Sequence, residues 1–208
     1  MKMALRPRDL ALVAVCIALV ATLAVLLKGE GAQALDRSLL DGLHDWLPEG
    51  LRHGLLKVYQ LSGVGFTGLL VAASLAYLAL KRWWRDLGLL VLSTGGILAM
   101  VDLVLKPLFD RSRPPEKLLV VEGRSFPGGH AAGSVAFYFA LVAILAAHYP
   151  QLRRPLVVAA SLWISLVWLS TLVARAHWPS DLLAGGAVGT AWLTLCLALW
   201  RSRRHPQS

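Results

Sequence analysis

Six apolar stretches, each about as long as a membrane-spanning helix, are the feature that most constrains this chain. A bilayer core about 30 Å thick takes roughly 20 apolar residues per helix. The stretches cover residues 10–27, 62–80, 87–105, 130–148, 156–173 and 181–200, and they lack the alternating pattern of membrane barrel strands. With 57% hydrophobic and 16% charged residues, the composition excludes an ordinary soluble domain. We therefore predict an all-α polytopic membrane protein in which residues 1–208 form one domain, a bundle of six transmembrane helices.

The first stretch has an alternative interpretation as a cleaved signal peptide. It follows a basic start with Arg6 and Arg8, and the small-residue sequence Ala32-Gln33-Ala34 lies beyond it. Its apolar run is longer than the roughly 7–15 residues usual for a signal peptide, and its loss would leave the two termini on opposite sides of the membrane. We therefore expect it to be retained as a span.

The segment between the first two stretches, residues 36–59, has a different pattern. Apolar residues share one helical face in two successive runs, the first of which ends at Pro48, and charged residues occupy the other faces. This pattern predicts amphipathic helices that lie in the membrane interface. They could frame a lateral entrance for a lipid or form a simple linker packed on the bundle, and the pattern leaves both open.

Basic residues cluster where short segments join the stretches on the side of the amino terminus. These residues are Lys2, Arg6, Arg8, Lys81, Arg82, Arg85, Arg153, Arg154, Arg201, Arg203 and Arg204. The opposite side has almost as many basic residues, mixed with acidic ones that count for little in the positive-inside rule. The distribution decides: each segment on the side of the amino terminus is short and has a basic cluster against the end of a span, so we predict that both termini are cytoplasmic. Because these clusters account for most of the net charge of +9, we attribute the charge to topology and contacts with anionic headgroups, and we do not expect nucleic-acid binding.

Three polar runs adjoin the stretches on the predicted outer side. The first, residues 106–114, contains two cations, Lys106 and Arg113, which could converge on one anion across a helix end. Because proline follows Lys106, we expect the helix to end there, with Asp102 one turn earlier holding the ammonium group. The plainer alternative is a cluster of snorkelling, topology-setting cations.

The second run, residues 126–130, immediately precedes the fourth stretch. Free N–H groups and the positive end of the helix dipole make a helix start an anion site. Gly128 and Gly129 would let the backbone approach a phosphate closely, with His130 beside it. A flexible turn is the alternative.

The third run, residues 175–181, places His177 and Asp181 four residues apart around a Trp-Pro-Ser turn. If a helix starts near Pro179, the carboxylate can reach one imidazole nitrogen and leave the other free to attack. Alternatively, His177 is an interfacial side chain and Asp181 a helix N-terminal charge.

Together the runs resemble the motifs of the type 2 phosphatidic acid phosphatase superfamily, which comprises membrane lipid phosphatases related to vanadium haloperoxidases. Lys106 and Arg113-Pro114 match its first motif, in which six residues separate the lysine from Arg-Pro. Residues 127–130 match Pro-Ser-Gly-His, except that Gly128 replaces the serine.

The third family motif is Ser-Arg, five residues, His, three residues, Asp. His177 and Asp181 match its end, whereas Thr171 occupies the place of the arginine after Ser170. Arg175 lies one helical turn later and is our candidate for a guanidinium supplied from a shifted position.

The resemblance implies a role for each matched residue. His177 would be the nucleophile that forms a phosphohistidine, Asp181 would orient it, and His130 would protonate the leaving alkoxide. The implied phosphate-binding groups are Lys106, Arg113, Arg175 and the amides of Gly128 and Gly129. The resemblance implies no cofactor and no metal, because these cations would stabilise the transition state.

The implied activity is hydrolysis of a lipid phosphate in the bacterial inner membrane, with the site on the extracytoplasmic face. The substrate could be a phosphatidate, a phosphatidylglycerol phosphate, a polyprenyl diphosphate or a lipid A phosphate, and the sequence does not rank them. Two alternatives remain: a catalytically weakened relative that binds lipid phosphates, and a transporter or scaffold without enzymatic activity. The oligomeric state is left open.

Overall fold

The computed structural model describes residues 5–118 and 121–202, and over these ranges it contains helices and no strand. Lys2, Arg203 and Arg204 of the predicted basic clusters lie outside the described residues. The helices are α1 Pro7–Leu26, α2 Glu30–Trp46, α3 Glu49–Leu61, α4 Val64–Leu80, α5 Trp84–Ala99, α6 Lys106–Phe109, α7 Gly129–His148, α8 Arg153–Val173 and α9 Pro179–Ser202. The all-α prediction is confirmed.

Five helical segments are long and apolar enough to cross a membrane. They are Pro7–Leu26, Trp84–Phe109, Gly129–His148, Pro150–Val173 and Pro179–Ser202. Helix α4 has 17 residues, at the lower end of the usual range for a span. It follows α3 after a bend of 48°, and the bent pair can be counted as a sixth span. The described chain is therefore a helical membrane protein with five to six spans.

The third predicted stretch differs from the sequence expectation at its end. The helix does not stop at Lys106 but runs on to Phe109, through a π-helical segment at Met100–Leu105. Pro107 falls in the first turn of α6, where a missing N–H group is tolerated. Asp110, in the left-handed conformation at φ 47°, follows the last helical residue. Lys106 therefore lies three residues before the end of the helix rather than at its end.

Small residues let α9 approach the start of α7 very closely. A Cβ atom added to Gly185 would lie 2.2 Å from the carbonyl oxygen of Gly128, and one added to Gly189 would lie 2.6 Å from the carbonyl oxygen of Ala132. Glycines spaced four apart are typical of tight helix contacts in membranes. This contact sets the start of α7 against the start of α9, where the second and third polar runs lie.

We predict that Gly185→Ala destabilises the protein by about 1–3 kcal/mol, because the new methyl group has to displace backbone. The measurement is the midpoint of thermal unfolding in detergent. Gly95→Ala is the matched control, since a Cβ added at this exposed α5 position meets nothing within 4 Å. Equal midpoints for Gly185→Ala and wild type would contradict the close packing.

Polar contacts tie the helices together at the opposite end of the bundle. Arg201 of α9 pairs with Asp9 of α1 at 2.6 Å. Asp86 at the start of α5 binds His148 of α7 at 2.7 Å and the indole N–H of Trp200 at 2.8 Å. Both ends of the described chain thus lie at one end of the bundle, and the three polar runs lie at the other.

Candidate active site

The structure brings the two histidines of the polar runs together. His130 stands in the first turn of α7, and His177 lies in the short connection before α9. Their ring centroids are 6.1 Å apart with an interplanar angle of 66°. His177 is 1% exposed and Asp181 is fully buried, so both are shielded from solvent. A phosphoryl group held at one imidazole would therefore lie within reach of the other.

The two nitrogens of His177 have different neighbours. Nη1 of Arg113 donates to Nε2 at 3.1 Å, so Nε2 is the acceptor nitrogen and the proton is assigned to Nδ1. Nδ1 lies 3.4 Å from Oδ2 of Asp181, longer than an ordinary hydrogen bond, and has no other partner within the described ranges. In this tautomer the lone pair of Nε2 accepts the hydrogen bond from the guanidinium, so an anion that takes over that hydrogen bond would free the lone pair.

Burial lowers the pKa of the His177 imidazole below its usual range. Attraction to Asp181 raises that pKa, and the positive charges of Arg113 and Lys106 lower it again. Burial is the largest of these effects, so the net shift in pKa favours the neutral imidazole. A neutral imidazole is the form that can attack phosphorus.

Arg113 is held rigidly in place by backbone carbonyl groups. Its Nε donates to the carbonyl oxygens of Glu122 and Gly123 at 3.1 Å each, and Nη1 donates to that of Ala176 at 2.6 Å. Within residues 5–118 and 121–202, Nη2 has no hydrogen-bond partner and the side chain forms no ion pair. The result is a fixed cation next to Nε2 of His177 with donor capacity left for a ligand.

Lys106 reaches the start of α7. Its ammonium group pairs with Asp102 at 2.6 Å and lies 3.5 Å from the position that a Cβ atom on Gly129 would take. The first N–H groups of a helix have no partner within the helix. Lys106 and the amides of Gly129 and His130 therefore form a positive cradle beside the histidine pair.

Gly128 does not have the role expected from the sequence, which was to bind phosphate through its backbone amide. Its N–H group donates to the carbonyl oxygen of Asp181 at 2.8 Å, so it is engaged within the protein and not available to an anion. A Cβ atom at this position would lie 2.9 Å from the same oxygen. The residue that replaces the motif serine thus forms a close contact between α7 and α9.

Arg175 also differs from the expectation. It has a left-handed backbone at φ 52°, and its two Nη atoms bind Asp41 at 2.7 Å and Glu116 at 2.9 Å. Neither histidine is among its partners in the part of the chain that the structure describes. Thr171 is buried, and its hydroxyl group donates to the carbonyl oxygen of Val167 at 2.8 Å. Two carboxylates therefore hold the guanidinium that was expected at the phosphate.

The sequence reasoning missed a second guanidinium, Arg111. Its Nη1 donates to Oδ1 of Asp181 at 2.6 Å and to the hydroxyl of Ser180 at 2.8 Å, and its Nη2 donates to Asp36 at 2.7 Å. The backbone N–H of Trp178 donates to Oδ2 of Asp181 at 2.9 Å. Both oxygens of the carboxylate next to His177 are thus fixed.

Asp36 connects this arrangement to helix α2. It is 4% exposed, and besides Arg111 it accepts hydrogen bonds from the backbone N–H of Ser180 at 3.0 Å and from the Ser180 hydroxyl. We name the chain Asp36–Arg111–Asp181 the carboxylate bridge. The sequence signals were weak: an arginine two positions before Arg113, and an acidic residue one turn before the buried Leu40.

Tyr59 of α3 is a further neighbour that the sequence assigned only to an amphipathic face. Its ring lies 5.6 Å from that of His130 between centroids, tilted by 34°. Helices α2 and α3 therefore both contact the site: α2 through Asp36, and α3 through Tyr59. This segment is more than a linker, because it supplies walls of the site.

These features define a class: polytopic helical membrane proteins that enclose two histidines, a fixed carboxylate and several cations at one end of the bundle. The sequence profile of the PAP2 superfamily matches residues 83–205, and the chain belongs to this superfamily. The match confirms the family predicted from the three motifs.

The fold is also that of a solved relative. The structure described as the crystal structure of the first transmembrane PAP2 type phosphatidylglycerolphosphate phosphatase, from Bacillus subtilis, superposes with a TM-score of 0.83. The match covers 94% of this chain and 98% of that one at 22% identity, so it establishes the shared fold. No curated protein sequence matches the chain.

Proposed function

We propose that this protein is a phosphatase that hydrolyses a phosphate ester or diphosphate of a membrane lipid. One observation carries the proposal: Nε2 of the neutral His177 accepts a hydrogen bond from Arg113 at 3.1 Å, and His130 stands 6.1 Å away between ring centroids. A nucleophile, a fixed cation and a second imidazole then surround the space where a phosphoryl group would react.

The proposed reaction has two steps. A phosphoryl oxygen of the bound lipid first takes over the hydrogen bond that Arg113 donates to Nε2 of His177. Nε2 then attacks phosphorus, the bond from phosphorus to the lipid oxygen breaks, and protonated His130 gives its proton to the leaving oxygen. Water then attacks the phosphohistidine and loses a proton to His130, which releases inorganic phosphate and restores His177. Asp181 holds the imidazole while it carries positive charge.

The charge that develops on the phosphoryl oxygens would be stabilised by Lys106, Arg113 and the amides at the start of α7. Such groups act strongly because they are already oriented in a site with little water. Neither Arg175 nor the Gly128 amide belongs to the proposed set, since both are engaged elsewhere in the protein.

The direct experiment is release of inorganic phosphate by the purified, detergent-solubilised protein. The substrates would be phosphatidate, phosphatidylglycerol phosphate, a polyprenyl diphosphate and a lipid A phosphate. We expect release from at least one of them. Binding of these lipids without release of phosphate would instead support the alternative of a catalytically weakened relative. That alternative is favoured by Thr171, which stands where the family motif has an arginine.

We predict that phosphate release persists in excess EDTA. The reason is that protein cations, Lys106 and Arg113 above all, would take the part that magnesium plays in many phosphoryl-transfer enzymes. The measurement is the initial rate with and without chelator. Loss of activity in EDTA that added magnesium restores would contradict the proposed mechanism.

The fall in kcat/KM at low pH should reflect protonation of the His177 imidazole. Since burial lowers the pKa of His177, the neutral nucleophile persists as the pH falls, and kcat/KM should decline only below about pH 6.5. Asp181→Asn removes a charge that raises this pKa, so it should move the fall to lower pH. This shift distinguishes His177 from the substrate phosphate, which ionises near pH 6. A fall centred above pH 7 would contradict the assignment.

We also propose that the site faces the extracytoplasmic side of the bacterial inner membrane and that both termini are cytoplasmic. The support is the charge distribution: basic residues without many acidic neighbours gather at the end of the bundle opposite the site. Labelling of single cysteines in intact cells tests this. Labelling of a cysteine at exposed Lys117, but not at Lys81, by a membrane-impermeant reagent is the expected result, and the reverse pattern would overturn the orientation.

A further inference from the structure

A cavity of about 1070 Å³ lies directly beside the proposed active site. It is bounded by the end of α1, the start of α2, helix α6 and the loop that carries Arg111 and Arg113. Arg113 belongs to both places, because it lines the cavity and donates to Nε2 of His177. A molecule in the cavity and a phosphoryl group at His177 would therefore touch the same guanidinium.

The cavity has two cations that the protein leaves without partners. Lys28, which follows α1, and Arg37, on α2, are exposed and form no hydrogen bond or ion pair within the described ranges. This contrasts with Arg111 and Arg175, which are each paired with two carboxylates. Among the described residues that line the cavity, Glu30 is the only one with a carboxylate. The wall is therefore positively charged on balance.

The other wall of the cavity is apolar. It consists of Ala24, Val25 and Leu27 from the end of α1, with Leu108 and Phe109 from α6. These residues belong to, or directly adjoin, helices long and apolar enough to span a membrane, so we expect the apolar wall to face the hydrocarbon core. A cavity with one cationic wall and one apolar wall suits a phospholipid, which has an anionic headgroup and apolar chains.

We propose that this cavity binds a second anionic group of the lipid substrate, a phosphodiester located between the acylglycerol part and the terminal phosphate, with Lys28 and Arg37 as its ligands. The proposal rests on the proposed phosphatase function and names the substrate class. A lipid with a single phosphate at His177 would leave both cations without an anion. A lipid with a phosphodiester and a terminal monoester would satisfy both places at once, with Arg113 between them.

The test compares two substrates in the same mixed micelles: phosphatidylglycerol phosphate, which has both groups, and phosphatidate, which has one. Arg37→Gln and Lys28→Gln should each raise KM for phosphatidylglycerol phosphate by on the order of tenfold, the scale of one charge-assisted contact. KM for phosphatidate should change by less than about twofold, and kcat should hold for both. Lys57→Gln is the matched control, since Lys57 is an exposed α3 cation that does not line the cavity.

A second measurement uses the wild-type protein alone. Phosphatidylglycerol retains the phosphodiester after the terminal phosphate is lost, so it should inhibit more strongly than diacylglycerol, and Arg37→Gln should remove the difference. Equal inhibition by the two lipids would overturn the subsite.

The remaining outcomes separate the two proposals. Parallel losses on both substrates, no change on either, or hydrolysis of phosphatidate without hydrolysis of phosphatidylglycerol phosphate would overturn the phosphodiester subsite and leave the phosphatase function standing. If the wild-type protein releases phosphate from no lipid in the panel, the proposed function itself fails.

Discussion

His177→Ala should lower the rate of phosphate release by about 10⁴-fold or more, since losses of this size follow removal of a catalytic nucleophile. Nε2 of His177 accepts a hydrogen bond from Arg113 at 3.1 Å, and the His177 ring lies 6.1 Å from that of His130 between centroids, which makes His177 our proposed nucleophile. Cations left in the site could still bind the lipid. The loss should therefore appear in kcat rather than in KM.

The intermediate offers a direct readout of this role. Brief reaction of the wild-type protein with a lipid labelled on its terminal phosphate should transfer label to the protein in a form stable to base and labile to acid, as expected for phosphohistidine. His177→Ala should carry no label. His53→Ala is the control, because His53 is exposed on α3, and it should keep both the label and the rate. A His177→Ala protein with near wild-type turnover would remove His177 from the mechanism.

The sequence could predict the parts of the site that depend on short spacing. His177 and Asp181 come together because the turn at Pro179 starts a helix, and Lys106 meets Asp102 because they are one helical turn apart. The meeting of His130 and His177 followed from topology, since both were expected at span ends on one side. Amphipathic helices before the second span were likewise readable from periodicity.

Contacts over long sequence separation could not be predicted in this way. Arg111 and Asp36 are 75 residues apart, and only the packing of α2 against the start of α9 makes them partners. Arg175 is a similar case, because no local sequence pattern indicates that its guanidinium pairs with Asp41 of α2. The helix continues to Phe109 through a π-helical segment that no sequence pattern indicated. Local rules thus predicted His177 and Asp181, the proposed nucleophile and its carboxylate, whereas tertiary contacts determine what holds them in place.

The carboxylate bridge leads to the second prediction, that Asp36→Asn lowers kcat by about 10- to 100-fold with little change in KM. Asp36 touches neither histidine, so its effect has to pass through Arg111 to the orientation of Asp181. Loss of a carboxylate that orients a reacting group through another residue commonly lowers activity by about 10- to 100-fold. The asparagine preserves the shape and one acceptor oxygen, which favours correct folding.

Arg111 gives the stronger version of the same experiment. Arg111→Gln leaves two buried carboxylates, Asp36 and Asp181, without the cation between them, and we expect a loss of about 100-fold or more in kcat together with lower stability. Arg111→Lys keeps the charge but cannot bridge both carboxylates in the same geometry, so it should recover only part of the rate.

Two comparisons distinguish positioning of Asp181 from a merely structural role. In an Asp181→Asn background, Asp36→Asn should cost little more, because the group that it positions is already gone, whereas a purely structural defect would add in full. Arg175→Gln is the matched control: Arg175 also joins α2 through a carboxylate, Asp41, but has no contact with Asp181 in the described structure. Its kcat should stay within about threefold of wild type. If instead Arg175→Gln loses 100-fold while Asp36→Asn is silent, Arg175 is the shifted family arginine after all, and the carboxylate bridge serves packing alone.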